Sequence, residues 1–251
     1  AWGQNCTADD GTDGVELWGE CYSIENTTVL DLSYIGVSGE IPPEIGNLIN
    51  LSSLILKENQ FSGIIPPEIG SLTNLINLDL GGNQLSGEIP PEIGLLTNLN
   101  ILDLAGNQLA GTIPPEIGDL ENLTELELGG NLITGLIPLE IGDLGSLTFL
   151  HLEYNQFTGS IPSEISNLSN LVWLNFVHNQ LTGEIPESIC DLNMNWSDPN
   201  NFNISENQLC PPYPDCIAAY TGEQDTSGCD QVSIIDETLP ITYKLYNAYP
   251  N

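Results

Sequence analysis

Thr73-Asn74-Leu75-Ile76-Asn77-Leu78-Asp79-Leu80-Gly81-Gly82-Asn83-Gln84-Leu85-Ser86-Gly87-Glu88-Ile89-Pro90-Pro91-Glu92-Ile93-Gly94-Leu95-Leu96 decides the fold, because its pattern returns every 24 residues along most of the chain. The asparagine recurs at Asn59, Asn83, Asn107, Asn131, Asn155 and Asn179. The glycine recurs from Gly39 to Gly183, and the Ile-Pro step from Ile41-Pro42 to Ile185-Pro186. A strict period of this length predicts a solenoid: each repeat is one supersecondary unit that buries its apolar face only against its neighbours.

Each copy reads as physical instructions. Leu78-Asp79-Leu80 alternates as a half-buried strand does, and stacked copies would place these strands in parallel at about 4.8 Å. The asparagine after them predicts a buried ladder, its amide accepting from and donating to the backbone of adjacent coils. Gly87 permits a tight turn. Pro90 and Pro91 suit the first turn of a short helix or 3₁₀ segment, with Glu92 near its positive end, and Ile93 and Leu96 return to the core.

The pattern Leu-x-x-Leu-x-Leu-x-x-Asn-x-Leu-x-Gly-x-Ile-Pro-x-x-Ile-Gly resembles the plant-specific class of leucine-rich repeat, known from receptor-kinase ectodomains and polygalacturonase-inhibiting proteins. The resemblance covers about residues 28–218. It implies an α/β solenoid of about eight coils, a right-handed superhelix whose parallel sheet lines the concave face, and recognition of peptides, proteins or glycans there. The expected organisation is an N-terminal disulfide cap at 1–28, a solenoid at 29–209, a C-terminal disulfide cap at 210–230 and an extended tail at 231–251.

The chain departs from the pattern at its ends. Ile35 stands where the first coil should carry its asparagine, and the spacing from Asn179 to Asn207 grows through an insertion at Asn193-Met194-Asn195-Trp196. All six cysteines lie outside the regular repeats. An even number at the two ends predicts disulfide-closed caps in an oxidising compartment; zinc is the rival, without a CxxC pair or flanking histidine to support it. Cys6 and Cys21 bracket the N-terminal cap. Cys190 holds a glycine position and Cys216 the glutamate position of the next coil, so stacking favours Cys190–Cys216 and leaves Cys210 for Cys229.

Thirty-five acidic residues stand against two basic ones, a formal charge of −33. That balance argues against nucleic acid and anionic membranes, and no apolar run approaches the ~20 residues of a membrane span. It leaves a solubilising surface, a basic partner or calcium open. Asp9, Asp13, Gly14 and Glu20 fall at calcium-loop spacings, although Gly11 occupies a ligand position. A ladder of Glu44, Glu68, Glu92, Glu116, Glu140 and Glu164 is the second calcium candidate.

Counting back four from each asparagine gives the exposed strand column Asp31, Ile55, Asp79, Asp103, Glu127, His151, Asn175 and Asn203. Its middle is acidic beside small residues. Its C-terminal half neighbours Phe149, Tyr154, Trp173 and His178. Aromatic faces next to carboxylates suit a sugar or a basic peptide, so Asp79, Asp103, Glu127, Phe149, His151, Tyr154, Trp173 and His178 form the candidate binding set. Strand positions favour aromatic residues in any case, and both readings stay open. The sequence shows no nucleophile elbow and no partnered histidine, which argues against catalysis. Seven Asn-x-Ser/Thr sequons, at Asn5, Asn26, Asn50, Asn122, Asn167, Asn195 and Asn203, are candidate glycan acceptors.

Ala1-Trp2-Gly3 does not open a signal peptide, so the expectation is a mature exported chain at the cell surface. Residues 238–251 alternate as an extended arm would, and Tyr249-Pro250-Asn251 resembles the entry to the type IX secretion sorting domain of Bacteroidetes-like bacteria. Docking of such an arm on a neighbour builds open filaments. The first functional expectation is therefore a non-enzymatic structural or adhesive protein that self-associates through residues 231–251 into a fibre or surface layer. The second is a monomeric module that binds a glycan or peptide on its concave face.

Overall fold

Over residues 5–229, which the computed structural model describes, each repeat makes one coil of a leucine-rich-repeat solenoid. The leading strands are Val29–Asp31, Ser53–Ile55, Asn77–Asp79, Ile101–Asp103, Glu125–Glu127, Phe149–His151, Trp173–Asn175 and Phe202–Asn203. They form one eight-stranded parallel sheet, ordered along the chain and in register. A second row of parallel strands runs down the next side as two four-stranded sheets, from Ser38–Glu40 to Gln208–Cys210. The outer side carries seven 3₁₀ turns of five residues, from Pro43–Asn47 to Glu187–Asp191.

The core is one column. Leu54, Leu78, Leu102, Leu126, Leu150 and Leu174 are fully buried on the sheet's inner face, and Ile45, Ile69, Ile93 and Ile117 close it from the 3₁₀ side. Each such side chain contributes roughly 2 kcal/mol of burial, but only once both neighbouring coils are present. The 3₁₀ glycines set the stacking distance: a Cβ at Gly94 would stand 2.5 Å from the carbonyl oxygen of Glu116 in the next coil.

The asparagine ladder runs through this core. Asn107 Nδ2 donates to the carbonyls of Leu80, Leu104 and Ala105, and its Oδ1 accepts the amide of Leu85 at 3.0 Å. Ile35, lacking that amide, is 62% exposed. At the other end the ladder continues in a different residue. Gln224 accepts from Leu209 N–H and donates to Ile204 and Thr221, taking the place of an eighth asparagine. A second asparagine ladder lies along the outer edge, where Asn50, Asn74, Asn98 and Asn122 each donate to a carbonyl of the preceding coil.

Both ends are covered. Strands Asn5–Thr7, Asp13–Leu17 and Glu20–Ser23 form an antiparallel sheet joined by Cys6–Cys21, and Trp18 from it packs on Phe61 at 5.1 Å. At the far end Cys190 bonds Cys216 and Cys210 bonds Cys229. The inserted Trp196 meets Phe202 edge-on at 4.9 Å. The calcium-loop reading of the cap does not stand. Asp13 and Glu20 sit in paired strands, and Asp10, not Asp9, organises the turn by accepting from Thr12 and Asn26. No group of three His, Cys, Asp or Glu among the described residues is arranged to hold a metal ion. The arm expected at 231–251 lies outside the described residues.

Candidate functional site

The concave sheet sets the predicted column side by side: Asp31 pairs with Ile55, Ile55 with Asp79, and so on through Asp103, Glu127, His151, Asn175 and Asn203. Several of its members have a backbone task that sequence reading missed. Asp31, Asp79, Asp103, Asn175 and Asn203 each accept, through Oδ1, the amide two residues on. A short Asp or Asn here brackets the turn leaving the strand. Glu127 and His151 make no such bond among the described residues.

Asp79 departs from the expectation of an exposed binding carboxylate. It is only 7% exposed, and its Oδ2 lies 2.9 Å from Lys57 Nζ, a bond that raises the lysine's pKa. Asp103 has no such partner. Burial pushes it up to about 6, against the lowering effect of the Ala105 amide. Burial likewise raises Glu127, with His151 pulling the other way.

Beyond the acidic stretch the face turns aromatic. Phe149 and Trp173, neighbours in register, stack with centroids 4.1 Å apart and planes 10° from parallel. His151 meets Phe149 edge-on at 6.3 Å. Tyr154 and His178 pack at 4.5 Å in the turns after the strands, and His178 Nδ1 lies 2.8 Å from a Glu206 carboxylate oxygen. The position before each asparagine is left-handed in every coil. Gly82, Gly106 and Gly130 fill it in the middle coils with φ of 62°, 64° and 65°, whereas Tyr34, Glu58, Tyr154, His178 and Glu206 hold φ of 58°, 53°, 52°, 54° and 55°. A side chain there costs of order 1–2 kcal/mol that glycine avoids. The signal was present in the sequence, where Gly-Asn gives way to Tyr154-Asn155 and His178-Asn179.

The sequons occupy varied settings. Asn50 and Asn122 spend one amide hydrogen on the outer ladder, Asn26 donates to Asp10, and Asn195 accepts from Ser197. Asn167 ends a 3₁₀ turn, and Asn203 lies in the last concave strand. Asn5 is in the cap's first strand. The carboxylates from Glu44 to Glu164 each occupy the first turn of a 3₁₀ segment.

Coil, ladder and register together define a leucine-rich-repeat protein. Family models described as leucine rich repeat match residues 97–157, 73–120, and 26–48, 50–72 and 170–192. More particularly, the solenoid is similar to plant receptor ectodomains. One is the Arabidopsis thaliana receptor kinase GASSHO1/SCHENGEN3, solved in complex with CASPARIAN STRIP INTEGRITY FACTOR 2; it shares 42% identity over 77% of this chain, with a TM-score of 0.73. Another is the Arabidopsis receptor kinase HAESA, solved with the peptide hormone IDA and the co-receptor SERK1, at 35% identity over 77% of this chain and a TM-score of 0.72. The chain spans 24% and 33% of these two structures. A plant ice-binding protein is similar at 28% identity, with 78% of this chain and 67% of that one covered and a TM-score of 0.57. No curated protein matches.

Proposed function

We propose that this chain is an extracellular, non-enzymatic recognition module that binds an extended peptide along its concave sheet. The observation that carries the reading is the aromatic patch on the concave side, where Phe149 and Trp173 stack in register and, in the turns that follow, Tyr154 packs on His178. Aromatic side chains gathered on an accessible sheet face suit recognition of a partner. The complex of the similar receptor HAESA with the peptide hormone IDA supports a peptide as the ligand class, and three disulfides support an oxidising compartment.

Panning a library of random linear peptides on the full chain and on Trp173→Ala tests it. Peptides retained by the first and lost by the second are expected; recovery of the same peptides from both would sink the reading. Glycans are the competing ligand class, checked by an array probed with the same two proteins. Self-association through residues 231–251 is a separate proposal. It stands if removing 231–251 converts a large particle to a monomer in light scattering, and fails if the intact chain is already monomeric.

A further inference from the structure

The repeat supplies its own control. Lys57 reaches Asp79 of the next coil, its ammonium 2.9 Å from Oδ2, while Asp79 Oδ1 is held by the Gly81 amide. One repeat on, Asp103 Oδ1 is held by the Ala105 amide at 2.9 Å in the same way. But the residue equivalent to Lys57 is Gly81, which has no side chain. One repeat further, Ala105 stands in that place relative to Glu127. Asp103 and Glu127 are thus two half-buried carboxylates that lack, among the described residues, the cation Asp79 has. Withdrawing a carboxylate from water without a partner is unfavourable, and burial raises the pKa of both.

Two further atoms on the same face are also unpaired. Asn77 Oδ1, in the strand that carries Asp79, is buried with no hydrogen-bond partner. So is Glu153 Oε2, whose carboxylate lies against Gly129: a Cβ there would stand 2.7 Å from Glu153 Oε1. Buried acceptors in folded proteins are nearly always paired. Glu153 Oε2 and the carboxylates of Asp103 and Glu127 are acceptors set along the floor of Gly81, Ala105 and Gly129, while Asn77 Oδ1 lies farther along the strand, two residues before Asp79. The missing partner is a donor, and the neighbouring coil shows its chemistry.

We infer that the concave face over Gly81, Ala105 and Gly129 seats an ammonium group of the ligand between Asp103 and Glu127, in the place Lys57 fills one coil earlier. The inference rests on the recognition reading above and names the chemistry of its ligand. Three strand spacings separate Asp103 from Trp173, about 14 Å at 4.8 Å each. An extended peptide crosses that in about four residues, so a lysine at one end of such a segment and an apolar or aromatic residue at the other engage both patches. A free polyamine carries the same ammonium chemistry without the second anchor.

The test pans random linear peptides on the full chain and titrates the recovered peptides, their lysine-acetylated forms and spermidine at 0.15 M salt. The proteins are wild type, Trp173→Ala, Asp103→Asn, Ala105→Lys and Glu92→Gln, with circular dichroism confirming that each is folded. The last removes an acid from the 3₁₀ edge and reports the effect of net charge alone. The expected result is lysine-containing peptides whose Kd rises at least tenfold with Asp103→Asn, with Ala105→Lys and on acetylation, and is unchanged with Glu92→Gln. Spermidine binding with the same dependence, and no recovered peptide, keeps the seat and overturns peptide recognition. Peptides that depend on Trp173 but not on lysine or Asp103 overturn the seat and keep recognition. Binding in no arm overturns both.

Discussion

Asn107→Ala probes what holds the coils together, and its cost can be worked bond by bond. The amide of Asn107 makes four hydrogen bonds. Three are donations to carbonyls that keep another partner: Leu80 O still accepts from Asn83, Leu104 O from Asn131, and Ala105 O from the Gly82 amide. The fourth is different. Leu85 N–H, buried in the core, is left without an acceptor, which costs about 1–3 kcal/mol. Adding about 1 kcal/mol for the lost donations gives a total of about 2–4 kcal/mol. At 2–4 °C per kcal/mol for a chain of this size, the melting temperature falls by about 4–16 °C. Asn98→Ala is the matched control, since Asn98 makes one exposed donation to Thr73 O. It should cost under about 1 kcal/mol. Chemical denaturation followed by circular dichroism measures both. Equal losses for Asn107→Ala and Asn98→Ala would refute the claim that orphaning one buried amide dominates.

Three other outcomes follow from the same structure. Tyr154→Gly exchanges left-handed strain against glycine's extra chain entropy, so stability stays within about 1 kcal/mol of wild type while peptide affinity drops; a large loss of stability would show that Tyr154 is there for packing. Asp103, raised to about 6, binds its proton more tightly folded than unfolded, so its protonation favours the fold below about pH 4 and that contribution is lost as pH rises through 6. Asp103→Asn should therefore be more stable than wild type at pH 7 by about 1–2 kcal/mol, after allowance for partial exposure, and the gap should close by pH 4 in denaturation at the two pH values. Replacing Cys190 and Cys216 by serine opens a loop of sequence separation 26, costing about 3 kcal/mol in the chain-entropy model; hydrogen exchange should locate the first opening in the last coils, and uniform loss along the solenoid would contradict the capping role.

The period carried the solenoid, the sheet face and the asparagine ladder into view because each rests on one residue type at one spacing. What the sequence hid has a common cause: it depends on where a side chain ends, not where it starts. Column counting made Asp79 and Asp103 equivalent, and only the reach of Lys57 from the coil before separates them. Gln224 continues the asparagine ladder from outside the repeat, with a longer side chain and no register to announce it. The left-handed positions were legible in Gly82, Gly106 and Gly130 but needed backbone angles to show that Tyr154 and His178 share them. The calcium spacing from Asp9 to Glu20 failed because hairpin pairing puts Asp13 and Glu20 on different strands.

Hydroxyl-radical footprinting of the full chain, with and without a peptide recovered by panning, tests the concave-face account most directly. The account predicts that binding shields Trp173, Phe149 and Tyr154 while Tyr34 and Tyr220, both exposed and outside the patch, oxidise at unchanged rates. Protection of Tyr34 or Tyr220 with Trp173 and Tyr154 unaffected would contradict it.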